Sequence, residues 1–280
     1  MDGFALIWGC LLAIVLAQVL AYILCHHRLP LFIRATYEWG KLLDENTSAF
    51  NRKWLVPKSC NKQQKFLCYQ IIIQVKEVFG YLDSANYYTI KTSSIILSLV
   101  LLSLQTFRRL YECLFISKFS QSAQMHLGHY LLGGMFYILV NLTIISDGSF
   151  LTSDGDTFRL KDLSTATNII GVCIFCWGSL HQHRCHNILA QLRVGSSPHN
   201  SYGVPRGDWF NYVSCPHYLS EIIIYFSIGF ILSLDHQSWW LLLAFITTML
   251  SLGAVQTNQW YYQNFSNYPE DRRAIIPFLL

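Results

Sequence analysis

Four polar clusters interrupt the long apolar runs of this chain, and each holds residues able to do chemistry. The first is Arg108-Arg109-Leu110-Tyr111-Glu112, in which Arg109 and Glu112 are three positions apart and can pair on one helix face. The second is His181-Gln182-His183-Arg184-Cys185-His186, followed by Arg193. The third runs from Tyr202 to Glu221 and ends with that carboxylate against the run Ile222-Ile223-Ile224-Tyr225-Phe226. A carboxylate costs roughly 2.5–3.5 kcal/mol at the centre of a membrane helix and less near an end, so Glu221 is expected to face a polar cavity. The fourth is the tail, from Asn258 through Tyr261, Tyr262 and Tyr268 to Arg272 and Arg273.

These residue types suit an anionic, phosphate-bearing ligand. Gly203, Pro205 and Gly207 form a turn that lets backbone N–H groups approach a ligand. Tyr202 and Trp209 offer stacking faces, Arg206 adds a charge, and His186 and Arg193 are candidate hydrogen-bond donors to phosphate. Arg193, Arg206, Arg272 and Arg273 together gather cationic groups for a phosphate-rich cofactor entering from one side. No Gly-x-Gly-x-x-Gly follows a strand, so a Rossmann domain is excluded. A metal is not expected: zinc favours histidines at i, i+4, whereas His181, His183 and His186 fan around a helix, and His126-x-x-His129 stands alone. Cys173-x-x-Cys176 lies in an apolar run and reads as a pair of small buried packing residues. Tyr111 and Glu112 are the candidate catalytic groups, with Glu77 a weaker one.

The elements that position these clusters are membrane helices. Of 280 residues, 52% are hydrophobic and 13% charged, which is the balance of a multi-span membrane protein. The net charge of +4, without a basic tract or zinc-finger spacing, speaks against nucleic acid. Nine scattered cysteines form no disulfide framework. Apolar runs at Phe4–Cys25, Phe66–Leu82, Thr92–Phe107, Leu127–Ile145, Asn168–Leu180, Tyr218–Leu234 and Trp239–Thr257 predict about seven spans in one all-α polytopic domain covering residues 1–280. The first run follows no basic segment, so a retained span is expected there in preference to a cleaved signal peptide. With the N-terminus lumenal, 16 of the 20 Lys and Arg residues fall on the cytoplasmic side, together with the C-terminus and all four polar clusters. In that topology the sequons at Asn46, Asn141 and Asn264 are not exposed to glycosylation.

The motifs resemble those of the steroid 5α-reductase family. The marks lie between about Gly178 and Leu280: Ile-Leu-Ala-Gln-Leu-Arg ending at Arg193, Tyr-x-x-Pro-x-Gly-x-x-Phe-x-Tyr-Val-Ser at Tyr202–Ser214, Tyr-Leu-x-Glu at Tyr218–Glu221, and Tyr-Pro-x-x-Arg-Arg-Ala-Ile-Ile-Pro-Phe from Tyr268. Within the family the chain is most similar to the type 3 branch. The features shared with that branch are His-Gln-x-x-Cys-His at His181–His186, Pro-Arg-Gly-Asp-Trp-Phe at Pro205–Phe210 and Arg-Arg-Leu-Tyr-Glu-Cys-Leu at Arg108–Leu114. The resemblance implies a seven-helix, multi-pass enzyme of the endoplasmic reticulum membrane. It would use NADPH to reduce a carbon–carbon double bond conjugated to a carbonyl. For the type 3 branch the substrate is the polyprenoid lipid polyprenal, reduced to dolichal on the route to dolichol, the lipid carrier of protein N-glycosylation. Carried over by motif, Arg193, Tyr202, His217, Glu221 and Arg272 would contact NADPH. His186 and Tyr261 fall at further contact positions, and Asn258 lies near one. His217 replaces the usual asparagine but still donates and accepts. The Gln-Glu-x-Pro motif of the steroid-reducing members is not found, and Thr106 stands where their third-span tyrosine aligns. That departure favours a linear substrate.

Reducing an enal requires hydride at the β-carbon, polarisation of the carbonyl oxygen and a proton at the α-carbon. Tyr111 or Glu112 would be polar partners in those steps. The competing expectations are a steroid or very-long-chain enoyl-CoA reductase of the same fold, a membrane methyltransferase using S-adenosylmethionine, and a non-enzymatic lipid binder.

Overall fold

The computed structural model describes residues 7–13, 55–57, 92–117, 124–146, 160–192, 203–234 and 236–279. Within them the chain is mainly helical. The long helices are α1 (Thr92–Tyr111), α2 (Leu127–Ser146), α3 (Ala166–Gln191), α4 (Pro216–Leu232) and α5 (Gln237–Asn264). Residues 7–13 are also helical. A short antiparallel ribbon pairs β1 (Leu55–Pro57) with β2 (Gln124–His126), Leu55 opposite His126. The five expected spans from Thr92 onward therefore coincide with helices. Most of Phe4–Cys25 and all of Phe66–Leu82 lie outside the described residues, as do Asn46 and Glu77. Among the described residues, Ser93–Ile116 and Gln237–Asn264 are long and apolar enough to cross a membrane; Gly133–Ile145 and Pro216–Leu232 are shorter apolar helices.

Local sequence accounts for several helix ends. Thr165 caps α3 by accepting from the Asn168 N–H at 3.3 Å. Pro216 starts α4, where its missing N–H costs nothing. His236 caps α5 by accepting from the Trp239 N–H at 3.3 Å. The end of α1 widens into a π-helical turn over Glu112–Ile116. That turn buries Glu112 and Cys113 and leaves Tyr111 and Phe115 outside, their rings packed at a tilt with centroids 5.1 Å apart.

The core joins α1, α2, α4 and α5. Leu99, Leu102, Val140, Ile144, Tyr225, Ile228, Trp239 and Leu242 are buried together with Trp8, whose Nε1 donates to Thr143 Oγ1 at 2.8 Å. Helices α3 and α4 pack closely because Gly171 and Gly178 lie on the contact face. A Cβ at Gly171 would stand 2.3 Å from Ile231 Cγ1, and one at Gly178 would stand 3.0 Å from Ile223 Cγ2.

The inward stripe of α3 is Asn168, Gly171, Phe175, Gly178, Gln182 and Cys185. Cys173 and Cys176 fall on the opposite side and are exposed beside Ile169, Ile170 and Trp177, which corrects the expectation that they are buried. The helical period decides this: positions 173 and 176 are out of phase with the glycine stripe. An apolar run surrounds them either way, so hydropathy alone does not separate the two faces. Asn141 is buried and donates to the Tyr137 carbonyl at 2.9 Å, and Asn264 Nδ2 donates to the Trp260 carbonyl at 2.8 Å.

Candidate active site

The polar end of α1 meets the polar end of α3, and the side chains converge on Glu112. This carboxylate is fully buried. Its Oε2 accepts from Arg109 Nη1 at 2.7 Å and lies 2.7 Å from His186 Nδ1. Its Oε1 is bonded to Arg108 and lies 2.8 Å from His183 Nδ1. Asn187 Nδ2 lies 3.0 Å from His183 Nε2. An amide N–H can only donate, so Nε2 accepts and the His183 proton sits on Nδ1, facing Glu112. The expected Arg109–Glu112 pair is therefore present, and the π-helical turn extends it into a four-sided shell around the carboxylate.

His186 is neutral at pH 7. Burial foremost, then the adjacent Arg109 guanidinium, push it down to about 4, outweighing the nearby Glu112 carboxylate. The two arginines already supply more positive charge than Glu112 needs, so no charge on the ring is required.

From Arg108 the network continues through two buried amides to Glu221. Gln105 and Gln182, 3% and 2% exposed, bond to each other at 2.8 Å. Arg108 Nη2 donates to Gln105 Oε1 at 2.7 Å and also bonds to Gln182 Oε1. Gln182 Nε2 donates to Glu221 and, at 3.2 Å, to the His217 carbonyl. The His217 ring lies 5.8 Å from that of His186 and 4.3 Å from that of Tyr218. His186, His217, Glu221 and Glu112 thus gather at one place, with Glu221 resting on side-chain amides. Arg108, Gln182 and His183 belong to the polar clusters of the sequence without being given a role there, and only Gln105 lies outside those clusters. The available signal for Gln105 was an amide inside the apolar run Thr92–Phe107, a costly choice unless satisfied.

A second group forms where the tail clips onto the loop before α4. Val213 bridges Arg273 in parallel, and the Ser214 N–H donates to the Arg273 carbonyl at 2.8 Å. Ser214 Oγ donates to Asn258 Oδ1 at 2.6 Å and lies 2.7 Å from Tyr268 Oη. Tyr261 and Tyr268 stack with centroids 5.0 Å apart. Arg272 is buried, lies 5.0 Å over the Tyr268 ring and donates to the Pro205 carbonyl at 3.0 Å. Burial foremost raises the Tyr268 hydroxyl pKa above its ordinary value, against hydrogen bonds from Ser214 and Arg272. Asn258, Tyr261 and Arg272 are brought together here. Arg193 and Tyr202 lie outside the described residues. Tyr111 is 53% exposed and stands apart from the Glu112 shell.

His181 does not join the other histidines. Its Nδ1 lies 2.9 Å from Asp208 Oδ1, and its ring stacks on Trp209 at 4.2 Å. Among the described residues no group of three His, Cys, Asp or Glu side chains is arranged to hold a metal ion.

The Glu112 shell can hold a guanidinium in a fixed place beside a developing negative charge. Arg109, whose side chain is 30% exposed, is the arginine of the pair with more open surface. Arg272 Nε and Arg108 Nε are buried without a hydrogen-bond partner among the described residues.

Residues 129–280 match the family described as 3-oxo-5-alpha-steroid 4-dehydrogenase. The chain is 40% identical over 192 residues to polyprenal reductase from Xenopus tropicalis, covering 66% of this chain and 61% of that one. It is 40% identical over 205 residues to polyprenal reductase 1 from Oryza sativa subsp. indica, covering 65% and 58%. With human polyprenal reductase the identity is 37% over 193 residues, covering 66% and 60%. The matched part of the chain thus spans about three fifths of the length of these curated relatives.

Proposed function

Because the chain belongs to the 3-oxo-5-alpha-steroid 4-dehydrogenase family, we propose that it is a reductase of the α,β double bond of polyprenal. The product is dolichal, on the route to dolichol and protein N-glycosylation, and the cofactor is NADPH. The single observation that carries this reading is the 37–40% identity to relatives named polyprenal reductase. The buried Glu112 shell is consistent with it, because reduction of an enal develops enolate charge that a fixed cation stabilises.

In this reading His186, His217, Glu221, Asn258, Tyr261 and Arg272 hold NADPH together with Arg193 and Tyr202. The unpartnered Nε of Arg272 and the surrounding tyrosines and histidines suit a ligand with phosphates and a planar ring. When bound, NADPH supplies the hydride. Arg109 polarises the carbonyl oxygen, and Glu112 holds that guanidinium in place. Glu112, surrounded by donors, acts as an acceptor and not as the proton source. Tyr111, on the outer side of the turn, is not needed for these steps. The enzyme is placed in the endoplasmic reticulum membrane with seven spans, a lumenal N-terminus and a cytoplasmic C-terminus, and the polyprenyl tail lies within the bilayer.

The test is NADPH-dependent turnover of polyprenal by the purified chain in lipid, with a steroid enone and a long-chain enoyl-CoA as parallel substrates. Dolichal formation with little turnover of the other two supports the proposal. Preference for either control moves the chain to a different substrate class.

A further inference from the structure

Two buried amides lie between opposite charges at the centre of the site. Gln105 Oε1 accepts from Arg108 Nη2 at 2.7 Å and from Ser179 Oγ at 3.3 Å. Its Nε2 donates to Gln182 Oε1 at 2.8 Å and to Glu221 Oε2 at 3.4 Å. Gln182 Oε1 also bonds to Arg108, while Gln182 Nε2 donates to Glu221 and to the His217 carbonyl. All the hydrogen-bonding capacity of both amides is in use. Each points its oxygen at the guanidinium and its nitrogen at the carboxylate. Turning either one over would set N–H against N–H at Arg108 and oxygen against oxygen at Glu221. The two charges, and not packing, therefore dictate the orientation.

The charge arrangement shows what the amides accomplish. Arg108 and Arg109 both bond directly to Glu112, one carboxylate for two guanidiniums. The second positive charge is answered by Glu221 only across Gln105 and Gln182. We propose that these two amides are positioning residues that couple Glu221 to the placement of Arg108 and, through Glu112, of Arg109. The coupling rests on the reading above, in which Glu221 is on the NADPH side and Arg109 on the carbonyl side. Neither amide touches a reacting atom in that reading. Gln105 is supplied by α1, outside the 129–280 segment matched by the family. The bridge thus joins the family-matched segment to a helix that precedes it. Coupling of this kind is reciprocal: cofactor bound at Glu221 favours the arginine placement that accepts the carbonyl, and the carbonyl favours the cofactor to the same degree.

The test measures kcat and both KM values of the full chain in lipid. Gln105→Leu keeps most of the volume and removes all four bonds. Gln105→Glu, a near-isostere, keeps the oxygen facing Arg108 but sets a second carboxylate beside Glu221. Ser179→Ala removes one peripheral bond and serves as the control. Gln105→Leu is expected to raise the NADPH KM and lower kcat, each by about tenfold, within the usual range of coupling between sites. Gln105→Glu is expected to raise the NADPH KM with a smaller loss of kcat, and Ser179→Ala to stay within about twofold of wild type. A purely structural role would reduce the amount of active enzyme, and so kcat, without moving KM. If Gln105→Leu does not fold, the KM shift of Gln105→Glu decides. Active wild type with an unchanged NADPH KM in the Gln105 variants overturns the coupling alone. Wild type inactive on polyprenal with NADPH overturns the functional reading and this inference with it.

Discussion

Glu112 is the residue on which the site turns. Removing its charge leaves two half-buried guanidiniums side by side without their shared carboxylate, and because both keep some contact with solvent the cost lies below the roughly 3–5 kcal/mol of breaking a fully buried pair. Glu112→Gln is therefore expected to lower turnover at least about a hundredfold and to reduce the melting temperature, read by steady-state kinetics and thermal unfolding in detergent. Tyr111→Phe, at an exposed ring outside the shell, is expected to keep turnover within about twofold. His186 supplies a pH dependence with a definite sign. Its folded pKa of about 4 lies below the ordinary 6.5, so the unfolded chain takes up the proton first. The stability held by neutral His186 is complete above pH 6.5 and declines as pH falls toward 4. His186→Asn should flatten the fall in melting temperature between pH 7 and pH 5, and an equally steep fall in that variant would exclude His186 as its source. At this scale the Arg109–Glu112 pair was legible, because three positions on a helix fix a shared face. Gln105 and Gln182 were not, because they are 77 positions apart and meet only in the folded chain.

The close approach of α3 and α4 is what brings Gln182 to Glu221, and it rests on two glycines. Gly171→Val would drive new carbon into Ile231, and such overpacking typically costs about 1–3 kcal/mol. Gly133→Ala in α2 meets no atom of the described residues within 4 Å and is expected to be neutral or to stabilise by up to about 1 kcal/mol through helix propensity. Melting of both variants gives the comparison, and equal behaviour would contradict the account of the α3–α4 contact. The helices themselves were readable as apolar runs from Thr92 onward, with starts within about two residues of those expected, but α3 and α5 run on past the expected ends at Leu180 and Thr257 to Gln191 and Asn264, because their last turns are polar. The face each run buries was less readable. A run apolar on all sides has little amphipathic signal, so the exposure of Cys173 and Cys176 follows only from where α4 packs. The π-helical turn at Glu112–Ile116 was equally hidden, because its local sequence, Glu-Cys-Leu-Phe-Ile, carries no glycine or proline to mark a change of helical pitch.

Over the whole molecule, the topology and the tail make distinct predictions. With Asn141 buried inside α2 and a cytoplasmic C-terminus proposed, none of the sequons at Asn46, Asn141 and Asn264 should carry glycan. Endoglycosidase treatment of protein expressed in a eukaryotic membrane is expected to leave its electrophoretic mobility unchanged, and a shift would reverse the orientation. The tail is held to the loop before α4 by backbone pairing at Val213–Arg273 and by Arg272 on Pro205. The sequence by itself determined the helical, membrane-type composition, the uneven placement of Lys and Arg between the apolar runs, and the motifs that mark the family. Each of these is a property of composition or of neighbouring positions and survives without a fold. Only the tertiary structure decided that Glu112, two histidines and two arginines enclose one another, and that two amides orient between Arg108 and Glu221. Those arrangements depend on distances between residues remote in the chain, which the packing of α1, α3 and α4 alone sets.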